Sequence, residues 1–176
     1  MGLLNVQIDT SSVEKMISDY EKQLNKRCEV FIGRLSAVGI SVSRVNGGHF
    51  GSYITYEIQT NPTTTGCTGI LIYGSSQLIT EEWQLADGSV KSTDVNPLLM
   101  QEFGSGPKAS NPMNIAGYGR GTFPVGGHGN EPEWSWKDLD GNWHTSTGFK
   151  PTAPVQKAYM QMYANIQNIA RQVFGS

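Results

Sequence analysis

An apolar repeat near the start of the chain constrains the fold more than any other feature. Apolar residues recur there at steps of three and four, at Val13, Met16, Ile17, Tyr20, Leu24, Cys28, Phe31, Leu35 and Val38. This spacing is typical of one face of an amphipathic helix, which we expect to pack on the domain core; a helix reserved for a partner is the alternative. Ser11 and Glu14 have the spacing of a capping box and predict the helix start. Gly39 predicts its end.

A small, mostly antiparallel sheet is predicted after this helix. Residues that fit a pleated, half-buried surface are concentrated in five runs, which cover 40–45, 53–60, 67–73, 78–85 and 89–93. Turn-forming residues separate them, at Asn46-Gly47-Gly48, at Asn61-Pro62 and at Asp87-Gly88. We therefore expect strands that are neighbours in sequence to pair as hairpins.

The second half of the chain combines a short helix, a long arm, a hairpin and a last helix. Asn96-Pro97 predicts the start of a short helix over 98–103. Residues 105–132 are rich in glycine and proline and predict an extended loop or arm, for which pure disorder is the alternative. Asp140-Gly141 lies between two tryptophan-containing runs and predicts a Trp-rich hairpin. A final amphipathic helix is predicted after Pro154.

These elements predict the α+β class and a single domain over 1–176. A long N-terminal helix and a C-terminal helix are expected to pack on the small sheet, with the glycine-rich arm and the hairpin attached. The 21 glycines are too many for a regular helix bundle. Only 16% of the residues are charged and the net charge is −2, so no general attraction to nucleic-acid phosphates is expected. No apolar run approaches the length of a membrane span.

Motifs that would indicate catalysis or a cofactor are incomplete. Ser105 lacks the glycine spacing of a nucleophile elbow, and the glycine-rich segments 117–121 and 126–129 lack a phosphate-loop lysine. Residues 138–142 resemble only the start of a calcium loop. The histidines, at His49, His128 and His144, have no metal-ligand spacing, and a zinc-dependent hydrolase is the alternative if they meet in space. We therefore expect no enzyme activity, no cofactor and no metal.

The cysteines and the tryptophans leave two further expectations. Cys28 and Cys67 have no metal-type spacing and are expected to be buried thiols in a reducing cytosol. Paired acidic residues, Glu81-Glu82 and Glu131 with Glu133, are compatible with a glycosidase, in which two carboxylates flank the sugar. The alternative without catalysis is a carbohydrate-binding accessory module, whose binding face would be formed by Trp134, Trp136 and Trp143. Only the arrangement in space decides whether such a face exists.

Three segments resemble the neck and tail-component family of long-tailed bacteriophages. The first is Met100-Gln101-Glu102-Phe103-Gly104-Ser105-Gly106, which matches a Glu-Phe-Gly-Thr-Gly-like signature. The second is the hairpin with Trp134-Ser135-Trp136. The third is a Thr-x-Gly-x-Pro-x-x-Pro-like lead into the last helix, at 147–154. The order of elements over most of the chain is similar as well.

The resemblance implies a structural virion protein with no catalytic role. Such a protein forms a ring, of six or twelve copies, between the head connector and the tail tube, and it helps head–tail joining or tail completion. Its implied partners are copies of itself, the head-connector protein and the tail-terminator or tail-tube protein. DNA would only pass through the channel, and no membrane is involved. The implied location is the virion neck or tail, after assembly in the host bacterial cytoplasm.

Residues in the signature, the arm and the hairpin are the predicted partner contacts. Aromatic residues are enriched and charged residues depleted at the centre of protein interfaces. The predicted interface residues are Glu102, Phe103, Gly104, Gly106, Tyr118, Phe123, Trp134 and Trp136. The arm would reach a neighbouring subunit and become ordered on contact.

Overall fold

The computed structural model describes residues 10–63, 66–120 and 131–175. The predicted α+β class is confirmed. The helices are α1 (Thr10–Asn46), α2 (Pro97–Phe103) and α3 (Pro154–Phe174). The strands are β1 (Ile54–Thr63), β2 (Gly66–Ser75), β3 (Ile79–Gln84), β4 (Val90–Val95), β5 (Trp134–Lys137) and β6 (Trp143–Ser146).

The first helix is longer than the sequence predicted. It continues through Gly39 to Asn46, so the prediction of a strand over 40–45 is wrong. Gly39 does not end the helix; it allows other elements to approach it closely. A Cβ atom at this position would lie 2.6 Å from the Met162 sulfur and 2.9 Å from the Tyr73 hydroxyl oxygen. The glycine is therefore needed for packing inside a helix, a role that local sequence does not distinguish from a helix end.

Helix α3 runs antiparallel to α1 and covers only part of it. The Lys157 Nζ atom donates a hydrogen bond to Asn46 Oδ1 at 2.9 Å near one end of the contact. Near the other end, the rings of Phe31 and Phe174 are 5.8 Å apart. Because α3 ends beside Phe31, the part of α1 before it extends beyond α3. We call residues 10–27 the distal end of α1.

Strands β1 and β2 form a two-stranded antiparallel sheet against α1. Their register runs from Ile54 opposite Ser75 to Thr63 opposite Gly66. The turn predicted at Asn61-Pro62 is therefore wrong, since both residues belong to β1. A proline is tolerated there because β1 has a single hydrogen-bonded neighbour among the described strands, so one edge of the strand needs no donor.

The other strands form a four-stranded sheet in the order β4-β3-β5-β6. The turn predicted at Asp87-Gly88 is confirmed: Gly88 has a φ of +83°, and the Leu85 amide donates to the Ser89 carbonyl. The Trp-rich hairpin is confirmed as β5-β6, and it joins β3 through the pair Gln84 and Lys137. The sequence predicted the hairpin but not its pairing with β3, which makes it part of the four-stranded sheet.

The predicted arm over 105–132 is only partly described, because 121–130 lie outside the described residues. Its first part begins with a 3-10 turn, Gly106–Lys108, and then folds back on α2. The Ser110 amide donates to the Phe103 carbonyl at 2.9 Å, and the Tyr118 ring stacks on the Phe103 ring at 4.6 Å. This part of the arm therefore packs on its own subunit.

Candidate functional site

The signature segment lies in the interior of the subunit. Every residue from Gln101 to Gly106 is buried, and the exposed fractions of Glu102 and Phe103 are 8% and 4%. Their side chains therefore contact this chain. The structure gives Glu102 and Phe103 partners within this chain. Their role as contacts of another subunit stays a prediction.

The Glu102 carboxylate caps the start of α3. It accepts hydrogen bonds from the Val155 amide at 2.8 Å and the Gln156 amide at 3.0 Å. The residue before α3, Ala153, supplies no side-chain cap and has a φ of +49°. A carboxylate from a distant part of the chain thus satisfies amides that a helix start leaves without partners. Burial raises the pKa of Glu102, and the two amides and the Lys157 charge partly oppose this effect.

Backbone hydrogen bonds fasten the signature to the segment that leads into α3. The Gln101 carbonyl accepts from the amides of Thr152 and Ala153 at 2.9 and 3.1 Å. The Ser105 amide donates to the Phe149 carbonyl at 3.0 Å, and the Phe149 amide donates to the Ser105 hydroxyl at 3.2 Å. The Ser105 hydroxyl is therefore engaged in a structural contact. The signature and the segment 147–154 are therefore in direct contact with each other.

The signature glycines are required by close approach of other segments. At Gly104, where φ is +74°, a Cβ atom would lie 2.5 Å from the Phe149 carbonyl oxygen and 2.8 Å from the Pro151 ring. At Gly106 a Cβ atom would lie 2.6 Å from the Trp134 ring. Trp134, predicted as a partner contact, is half-buried against the signature. The hairpin, the signature and the lead into α3 therefore form one packed unit.

The other predicted interface residues lie at separate places. Tyr118 is half-buried on Phe103. Trp136 is half-buried and stacks on His144, with ring centres 5.4 Å apart. Phe123 lies outside the described residues. The predicted set thus does not form one continuous exposed surface within the part of the chain that is described.

A cleft of about 530 Å³ lies beside the Trp-rich hairpin, between the four-stranded sheet and α2. Its apolar lining includes Trp83, Met100, Trp134, Trp136 and Phe149. Charged side chains at the cleft include Glu81, Glu82, Lys91 and Lys137. Sequence reasoning missed the part played by Trp83, Met100, Lys91 and Phe149, since the pairing of β3 with β5 and the packing of α2 bring them together.

The strand register decides on which face of the hairpin each of the three tryptophans lies. Trp136 is opposite His144, and Lys137 is opposite Trp143. Because side chains alternate between the two faces of a strand, Trp143 points to the other face from Trp134 and Trp136. The hairpin therefore does not present its three tryptophans as a single flat platform, although all three border the cleft.

The hairpin turn contains a hydrogen-bonded carboxylate. Asp138 accepts from the Asn142 amide at 2.8 Å and lies 2.8 Å from the His144 Nε2 atom. The contact with His144, followed by the bond from the Asn142 amide, lowers the pKa of Asp138 to about 2. These bonds hold the turn and fix the His144 ring beneath Trp136. The carboxylate thus has an evident structural use in the segment that resembles the start of a calcium loop.

Exposed apolar residues away from the cleft include groups on two of the helices. On the distal end of α1, Met16 and Tyr20 are 72% and 68% exposed, and Val13 and Ile17 are exposed too. The expectation that this face packs on the core is therefore wrong for its first half, because α3 ends too early to cover it. On α3 the exposed apolar residues include Tyr159, Met160, Tyr163 and Ile166. The two tyrosine rings stack at 6.4 Å.

Comparison of the chain with protein-family models, with curated proteins and with solved structures finds no match. Within residues 10–63, 66–120 and 131–175, no cluster of three or more histidine, cysteine or acidic side chains is placed to hold a metal ion. His128 lies outside this part of the chain. Among the described helices, none is both long and apolar enough to cross a bilayer.

Proposed function

We propose that this chain is a structural subunit of the neck or tail joint of a tailed bacteriophage, where copies of it form a ring that helps head–tail joining or tail completion. The observation that carries the proposal is the exposed apolar surface on the distal end of α1 and on α3. The sequence resemblance supplies the type of assembly. The ring would lie between the head connector and the tail tube and leave a channel for DNA.

The distal end of α1 has the properties of an interface. Large apolar side chains that face water in one subunit lower the free energy of assembly when another surface covers them. Tyrosine and methionine are among the residues enriched at interface centres. Met16 and Tyr20 supply both types, and residues 10–27 span about 27 Å at 1.5 Å per residue. A helix of that length can reach a neighbouring subunit.

The signature residues receive a different role in this proposal. Glu102, Gly104 and Gly106 hold the start of α3 and the hairpin in place, so they determine the shape of the ring-forming subunit from its interior. The surfaces that meet other copies are then the distal end of α1 and the Tyr159 face of α3. A ring of more than two copies requires two different surfaces on each subunit, and these two are separate.

The low net charge suits a ring through which DNA only passes. With a net charge of −2 the subunit has no overall attraction to phosphates, so binding to the channel wall would not slow the passing strand. The remaining partners in this proposal are the head-connector protein and the tail-terminator or tail-tube protein.

The experiment compares two variants of α1. Ile17→Ser with Tyr20→Ser alters the distal end, whereas Val45→Ser alters an apolar residue that is 81% exposed on the same helix but outside that end. Analytical ultracentrifugation and negative-stain microscopy measure ring formation, alone and with head-connector and tail proteins. Complementation of particles that lack the protein measures head–tail joining.

We expect the wild type and Val45→Ser to form rings and to restore joining, and the distal-end variant to do neither. A wild-type protein that stays monomeric with every partner, together with normal joining in particles that lack it, would contradict the proposal. Rings formed equally well by the distal-end variant would show that the interface lies elsewhere on the subunit.

A second candidate function is binding of a glycan in the cleft. The observation in its favour is the aromatic lining with Glu81 and Lys91 at one side, since sugars stack on tryptophan and hydrogen-bond to charged groups. Titration with cell-wall oligosaccharides, followed by tryptophan fluorescence, tests it. Saturable binding that Trp136→Ala abolishes and Tyr163→Ala keeps would support this function. No saturable change in fluorescence would leave the cleft without a glycan role.

A further inference from the structure

The two cysteines lie on facing sides of α1 and β2. Ile32 of α1 occupies the space beside Gly69 of β2, where a Cβ atom would be 2.6 Å from the Ile32 side chain. Further along, Gly39 of α1 meets Leu71 and Tyr73. The two elements therefore run in the same direction across their contact.

Helix and strand geometry place the two cysteines on the same contact between α1 and β2. Cys67 precedes Gly69 by two residues, which is about 7 Å along a strand. Cys28 precedes Ile32 by four residues, which is about 6 Å along a helix and slightly more than one turn. Both steps keep the side chain on the contact face. The two thiols are therefore neighbours across the contact, and, besides burial, the nearby Cys28 contributes to the raised pKa of Cys67.

The cysteine pair lies at the boundary between the buried part of α1 and its exposed distal end. Cys28 is buried, and every residue of the distal end is exposed or half-buried. The contact with α3 ends at Phe31 and Phe174. Near Cys28, α1 lies against β2, where Ile32 fills the space beside Gly69. A covalent bond here would fasten the β1-β2 hairpin to the root of the distal end.

We propose that Cys28 and Cys67 are a reversible thiol-oxidation site that closes to an intramolecular disulfide when the protein meets a small-molecule disulfide such as glutathione disulfide. The Cys67 thiolate attacks one sulfur of the oxidant and releases one glutathione thiolate. The Cys28 thiolate then attacks the Cys67 sulfur and releases the second glutathione. The two protein thiols lose two protons and two electrons, and the oxidant is reduced to two molecules of glutathione.

The surroundings of the two thiols order the steps. Cys67 is half-buried and Cys28 is 3% exposed, so the oxidant meets Cys67 first and Cys28 resolves the mixed disulfide. Burial and the neighbouring Cys28 raise the pKa of Cys67 to about 11. Thiolate is therefore scarce at neutral pH and the reaction is slow, which makes long incubation at about pH 8.5 the suitable condition.

The test oxidises the purified full chain with glutathione disulfide. Free thiols are counted by Ellman's reagent in denaturant, and intact mass is measured before and after. We expect the wild type to lose both thiols, to become lighter by two hydrogens and to stay monomeric on a denaturing gel without reductant. The thermal midpoint should rise by roughly 5–10 °C, because the bond restricts the unfolded chain, and dithiothreitol should reverse the rise.

Two single variants distinguish this site from unspecific oxidation. Cys28→Ser should stop at a glutathione adduct on Cys67, and Cys67→Ser should remain unmodified because its remaining thiol is buried. A wild-type protein that keeps both thiols, that stops at the glutathione adduct or that forms disulfide-linked dimers would overturn the proposal. These outcomes do not depend on ring formation, so they test the cysteine pair separately from the proposed function.

Discussion

The signature segment and the distal end of α1 differ in how their side chains are used. In the segment 101–106, polar groups are paired with the lead into α3 and the glycines touch other segments. In the distal end, large apolar side chains face solvent. From sequence, the first was expected to meet partners and the second to pack on the core. The structure buries the signature segment and leaves the distal end exposed. A distinctive motif can therefore serve the fold, while an ordinary amphipathic helix can offer a surface to a partner.

The strongest way to break this comparison is to substitute Gly104→Ala. The new Cβ atom would meet the Phe149 carbonyl oxygen, at a positive φ that side chains rarely adopt. We expect a loss of unfolding free energy of about 3 kcal/mol or more, measured by urea denaturation. Gly88→Ala is the control, because its φ is also positive but no atom lies within 4 Å of the new Cβ. It should lose about 1 kcal/mol. Equal losses would contradict a packing role for Gly104.

Removal of the Glu102 carboxylate should have the next largest effect. Glu102→Ala leaves the amides of Val155 and Gln156 without their acceptor at the start of α3. We expect a loss of about 2 kcal/mol in urea denaturation at pH 7. Glu133→Ala is the matched control, because Glu133 is exposed, and it should change stability by less than about 0.5 kcal/mol. A loss of stability no greater than that of Glu133→Ala would contradict the capping role of Glu102.

The raised pKa of Glu102 predicts a pH dependence. Because the folded pKa lies above the ordinary value of 4.5, folding favours the protonated carboxyl; the stability that protonation adds is fully present below that value and is lost as the pH rises through the folded pKa. Glu102→Gln cannot titrate. The wild type should therefore gain stability relative to Glu102→Gln when the pH falls from 7 to about 4. Denaturation of both proteins at the two pH values measures this difference. A constant difference would indicate an unshifted carboxyl.

The hairpin turn should respond more weakly and in the opposite pH direction. The pKa of Asp138 is lowered to about 2, so its contribution is present above the ordinary value of 3.8 and is lost as the pH falls through about 2. Carboxyl chemical shifts from an NMR titration should give a midpoint near 2. In His144→Ala the midpoint should move upward. An unchanged midpoint would assign the shift to the Asn142 amide.

The smallest effect on stability is expected at the distal end of α1. Ile17→Ser should change the unfolding free energy of the isolated chain by less than about 0.5 kcal/mol, because the side chain is already exposed. The same substitution at buried Ile32 should cost several times more. Thermal and urea denaturation of the monomer check both. A large loss at Ile17 would mean that it is covered within the subunit, and the contrast with the signature would disappear.

Local patterns predicted those elements whose signals lie within a few residues. Asn96 before Pro97 marks the start of α2, where its side chain accepts from the Leu98 amide. Asp87-Gly88 marks the β3-β4 turn, and Asp140-Gly141 marks the β5-β6 hairpin. The run 40–45 was assigned to a strand because β-branched residues fit both states, and the packing of α3 and β2 decided in favour of helix.

The candidate sites depended on contacts that no local pattern contains. The cleft combines residues from β3, α2 and the hairpin, which are far apart in sequence. Trp83 shares one face of β3 with Glu81, but the pairing of β3 with β5 was needed to place it beside Trp136. The cap of α3 by Glu102 joins residues 53 positions apart. Such distant partners leave no spacing signal in a single sequence.

By itself the sequence determined the class of fold and, apart from the end of α1 and the β1-β2 turn, the positions of the helices and hairpins, because propensity, capping and turn chemistry act over short distances. The tertiary structure alone decided which of these residues are interior and which are surface. It buried the signature, since Gly104 and Gly106 let Pro151 and Trp134 approach, and it left Met16 and Tyr20 exposed, since α3 ends beside Phe31. Burial depends on where distant segments meet, and that is settled only when the whole chain packs.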